Sequence, residues 1–135
     1  PDNPVHKIQY RMLANLYLLM DKLEKVKLEK LEDKLDNGFL EYYRTARWFF
    51  DRALHSCWLW WASMRPMWSP SLVYKGVHLL IITALNAQLA IVEAKVGGQE
   101  YFLAEQLYKN LINSQEDLLS ALVSQTAKRE KLRTF

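Results

Sequence analysis

The fold is decided by one stretch of the sequence, residues 69–98, which reads SPSLVYKGVHLLIITALNAQLAIVEAKVGG. Ser69 is a good helix N-cap, and Pro70 suits the first helical position because its ring fixes φ near the helical value. Apolar residues then recur at spacings of three and four until Gly97 and Gly98 end the pattern. The stretch therefore predicts a long helix with a wide apolar face.

Similar signals predict three further helices outside this stretch. Asn3-Pro4 repeats the cap-and-proline start, Asn37-Gly38 is a stop signal, and Arg65 resists the helical conformation because Pro66 follows it. The four predicted helices cover residues 4–36, 39–64, 70–96 and 99–131. Because the connections between them are short, we predict an all-α, antiparallel up-down four-helix bundle with long helices.

Length and composition favour one folded domain. The chain has 135 residues, of which 50% are hydrophobic and 24% charged, so it can bury a core. We predict a single helical-bundle domain over residues 1–135. The first residue is proline rather than methionine, so we expect a processed chain or a fragment of a longer protein.

Cysteine and charge restrict the class of protein further. A single cysteine, Cys57, forms no internal disulfide, and the start of the sequence lacks the basic and apolar regions of a secretion signal. We therefore expect an intracellular, cytoplasmic protein. The formal net charge of +3 is a weak electrostatic signature for nucleic-acid binding.

One segment carries too few charges for an isolated bundle. In residues 53–92 the charged residues are Arg65 and Lys75, although each helix of a soluble bundle normally exposes a polar face. Three explanations compete: contact with another chain, burial of the second and third helices within the monomer, and contact with a membrane. We favour the first, a non-enzymatic interaction or assembly module that forms a homo-oligomer. The predicted interface residues are Trp58, Leu59, Trp60, Trp61, Met67 and Trp68.

The two alternatives to self-assembly use different surfaces. A nucleic-acid-binding bundle would use a basic and aromatic face on the second helix, made of Tyr43, Arg44, Arg47 and Arg52. A membrane-associated protein would use the third helix, although its uncharged segment is close to the shortest length that crosses a bilayer.

Signatures of catalysis and of bound cofactors are missing from the sequence. No histidine has a glutamate three residues before it, as carboxylate-bridged metal bundles require, and there is no glycine-rich phosphate loop or cysteine pair for zinc. We therefore predict a protein that is not an enzyme, with no catalytic residues, no metal and no cofactor.

Overall fold

The structure, a computed structural model of the protein, describes residues 3–30, 37–55 and 68–133. These residues form four helices and no strand: α1 (Pro4–Glu29), α2 (Asn37–His55), α3 (Pro70–Glu93) and α4 (Gly98–Arg133). The prediction of an all-α four-helix fold is confirmed.

Both predicted N-caps are present. The Asn3 side chain accepts a hydrogen bond of 2.9 Å from the His6 backbone N–H, and Pro4 begins α1. The Ser69 hydroxyl oxygen accepts one of 3.4 Å from the Leu72 N–H, and Pro70 begins α3. These starts were predictable because a cap depends on a few adjacent residues.

The observed end of α1 and the observed start of α2 differ from the predicted ones. α1 ends at Glu29, just after the three- and four-residue spacing of its apolar residues is broken by a step of five from Leu23 to Leu28. Leu28 is 64% exposed. Asn37 and Gly38, predicted as the connection, lie in the first turn of α2. The predicted remainder of the first helix, residues 31–36, and that of the second helix, residues 56–64, lie outside the described residues.

α3 also ends before the glycines that were predicted to stop it. The helix finishes at Glu93, and Lys95 then adopts a φ of +54°, while its N–H donates to the carbonyl of Val92 at 3.1 Å. A side chain destabilises this left-handed conformation by about 1 kcal/mol. The residue that adopts it at the end of a helix is therefore usually glycine. Here Gly98, with a φ of +43°, lies at the start of α4 instead.

Side-chain contacts define the antiparallel topology. Arg11 on α1 reaches Asp117 on α4, whereas Lys22, further along α1, reaches Glu100 near the start of α4. α1 and α2 run in opposite directions in the same way, because Tyr17 contacts Phe50 and Glu24 contacts Tyr43.

α3 is the central helix of the described bundle. It packs against α1, α2 and α4, and its packing with α2 is the most extensive of any helix pair. α1 and α2, although consecutive, touch mainly through long side chains. The largest fully buried side chains come from all four helices: Phe39, Met12, Leu16, Leu19, Leu23, Leu80, Ile91, Leu111 and Leu118.

Candidate interaction surface

One side of α3 faces away from the bundle and is apolar. We call it the outer face of α3; its exposed members are Tyr74, His78, Leu85 and Val92, and its half-buried members are Ile81, Ile82 and Leu89. Ile81 lies at the border of this face, because it also packs against the core. At about 100° per residue, these positions share one side of the helix. Tyr74, Leu85 and Val92 are 38%, 42% and 45% exposed, so the surface is open to solvent.

Charged residues border this face at its two ends. Lys75 is exposed near the start of α3, Glu93 is the last residue of the helix, and residues 76–92 between them contain no Asp, Glu, Lys or Arg. The polar exterior expected of a bundle helix is therefore missing from the middle of α3.

The opposite side of α3 is in the core. Val73, Val77, Leu80, Ala84 and Ala87 are fully buried. Within the described residues, α3 is the one helix long and apolar enough to cross a membrane, and half of its most apolar stretch is buried inside the bundle. A core helix of a soluble protein can be equally long and apolar.

A groove lies at the N-terminal end of the outer face. Tyr74, Lys75, His78 and Leu79 line a space of about 400 Å³ whose walls are mostly apolar. The rings of Tyr74 and His78 are 6.2 Å apart. The groove could receive an aromatic or aliphatic side chain.

Exposed apolar side chains are also found on α4. The Trp68 indole N–H donates to the Thr126 hydroxyl oxygen at 3.2 Å, so this side of α4 faces the start of α3. Leu119 and Val123 lie on the same side of α4 as Thr126, and they are 42% and 73% exposed.

The structure describes one of the six predicted interface residues. Trp68 is half-buried, packs against the core and joins α3 to α4 through Thr126. Trp58, Leu59, Trp60, Trp61 and Met67 lie outside the described residues. In the sequence they lie between α2 and Trp68. The α3 residues with exposed side chains were not among the predicted contacts, because the stripe of α3 is apolar on both its inner and outer sides.

The predicted nucleic-acid face largely makes contacts within the chain. The Tyr43 hydroxyl donates to Glu24 Oε1 at 2.6 Å and accepts a hydrogen bond of 3.4 Å from Lys27. One terminal guanidinium nitrogen of Arg47 lies 3.8 Å from Glu24 Oε1, and the other lies 3.9 Å from Asp51 Oδ1. These residues form a polar bridge between α1 and α2.

The other two residues of that face differ from each other. Arg52 stacks on Trp48, with its guanidinium carbon 3.2 Å from the ring centroid, and donates to the Trp48 carbonyl oxygen. Arg44 is exposed. With Tyr43 and Arg47 paired to acidic groups and Arg52 stacked, the geometry adds no support for a phosphate-binding surface.

We predict that Tyr43→Phe lowers the free energy of unfolding by about 1 kcal/mol near neutral pH, because Glu24 loses a hydrogen bond. Burial, and then the bond to Glu24, raises the pKa of Tyr43 above its ordinary value of 10.0. The tyrosine's contribution is therefore complete below pH 10 and is lost as the pH rises through the folded-state pKa.

Urea unfolding at neutral and alkaline pH measures both effects. The difference between wild type and Tyr43→Phe should shrink above about pH 10, while Tyr42→Phe, at the adjacent position, should follow the wild-type curve. A constant difference across this range would contradict the role given to the hydroxyl.

The described residues contain no group of three or more His, Cys, Asp or Glu side chains that could hold a metal ion. Comparisons with protein-family models, with curated proteins and with solved structures find no match to this chain.

Proposed function

We propose that this protein is a non-enzymatic assembly module that associates with itself through an apolar surface on the second and third helical regions. The surface comprises the outer face of α3 and the tryptophan-rich segment that precedes it, residues 58–68. The observation that carries the proposal is the uncharged, solvent-exposed side of α3 between Lys75 and Glu93.

Physical chemistry favours a partner for such a surface. Contiguous exposed apolar area is uncommon on monomeric proteins and frequently marks a contact site. Aromatic residues and methionine are enriched at interface cores, and lysine and glutamate are depleted there. The outer face of α3 and the segment before it have this composition.

The tryptophans provide the first test of the proposal. If Trp60 and Trp61 are central contacts, replacing both with alanine should weaken assembly by about 2 kcal/mol or more, because buried indoles contribute much of an interface's energy. Light scattering should then give a lower mass than for the wild type at the same concentration, with helix content by circular dichroism nearly unchanged.

Trp48→Ala is the matched control, since Trp48 is 50% exposed on α2 and lies before the charge-poor segment. It should keep the wild-type mass. An unchanged mass in the Trp60→Ala/Trp61→Ala variant would show that these two residues are not interface contacts. A monomeric wild type that binds phosphatidylcholine vesicles would favour the membrane alternative.

A further inference from the structure

We infer that the partner of α3 is α3 of a second copy, in an antiparallel pairing that places Lys75 of each chain against Glu93 of the other. The inference rests on the proposed function and specifies its geometry. It follows from the positions of these two charges on α3 and from the apolar residues between them.

Lys75 and Glu93 lie on the same side of α3. They are eighteen residues apart, which is five full turns at 3.6 residues per turn, and about 27 Å along the helix axis. Lys75 is exposed and Glu93 is half-buried. Neither forms a salt bridge with another described residue, since the ion pairs of the described chain involve other groups.

A two-fold axis that crosses the outer face of α3 at the level of Ala84, midway between Lys75 and Glu93, brings these opposite charges together. An antiparallel pairing about that axis aligns each residue with the one equally far beyond Ala84 in the other chain, so Lys75 meets Glu93 at both ends. A parallel pairing would instead place lysine against lysine and glutamate against glutamate. Opposite charges at both rims therefore favour the antiparallel arrangement and set its register.

The apolar residues of the outer face fit the same register. Ile81, Ile82 and Leu85 are nearest the axis and would form the centre of the seam. Tyr74 lies at one end of the face and Val92 at the other, so Tyr74 of each chain would lie close to Val92 of the other chain across the interface. The α3–α3 seam is one part of the proposed surface and is small by itself for a protein interface, so we expect a dissociation constant on the order of micromolar.

Charge reversal tests this register in the full-length chain. At about 50 mM salt, where screening is weak, Lys75→Glu alone and Glu93→Lys alone should each raise the dissociation constant roughly tenfold, because two attractive pairs become repulsive. An equimolar mixture of the two variants should form a heterodimer with near wild-type affinity. The doubly substituted chain should likewise recover the homodimer.

Arg44→Glu is the control for net charge, because Arg44 is exposed on α2, outside the proposed seam; it should leave the dissociation constant unchanged. Lys75→Gln and Glu93→Gln remove the attraction between the two charges without adding repulsion. Each should raise the dissociation constant by about threefold.

The outcomes separate the register from the function. A dimeric wild type whose affinity is unaffected by either single reversal would overturn the antiparallel register and leave self-association standing. A wild type that stays monomeric at all concentrations would overturn the proposed function itself. Recovery of affinity in the mixed variants would support both.

Discussion

Leu85→Glu should convert the assembled protein to a monomer, with a rise of more than about 100-fold in the dissociation constant. Leu85 lies near the proposed two-fold axis and is 42% exposed in the single chain. In the assembly, the substitution would place two carboxylates close together in apolar surroundings, where desolvation and repulsion both oppose association. Sedimentation velocity and circular dichroism would measure the mass and the fold.

The same substitution on another helix controls for the added charge. Leu18 on α1 is 56% exposed, and it belongs to a helix on the other side of α3 from the outer face. Leu18→Glu should keep the wild-type mass. If Leu85→Glu remained as associated as the wild type, the outer face of α3 would not be the contact.

Leu80→Ala should lower the free energy of unfolding by about 3 kcal/mol, through lost apolar burial and the cavity left behind. Leu80 is fully buried on the inner side of α3, the helix that packs against the other three. The substitution should therefore lower the stability of the whole described bundle. Urea unfolding at a protein concentration too low for association isolates this effect.

Leu85→Ala is the matched control, because it removes the same atoms from an exposed position on the same helix. At low protein concentration it should cost less than about 1 kcal/mol. Equal losses from the two substitutions would contradict the division of α3 into an inner and an outer side.

The parts of the fold that depend on adjacent residues could be predicted from the sequence. The starts of α1 and α3 follow from Asn3-Pro4 and Ser69-Pro70, and the apolar spacing identified four helices. The ends were less predictable. Lys95 takes the left-handed position although two glycines follow closely, and the preference of glycine for that position did not decide where α3 ends.

Features that depend on distant residues could not be predicted in this way. The Trp68–Thr126 and Tyr43–Glu24 hydrogen bonds join residues far apart in the sequence, and spacing within one helix does not indicate the partner. The low charge of residues 53–92 did indicate that α3 is unusual. It did not indicate which of its residues face outward, because both sides of the helix are apolar.

Sedimentation equilibrium of the wild type tests most directly whether this chain has more apolar surface than one bundle buries. Across a concentration series from about 1 to 100 μM, spanning the expected dissociation constant, the mass should rise from that of the 16.0 kDa chain towards twice that value. A mass that stays at one chain throughout the series, with no change on adding detergent, would contradict the claim.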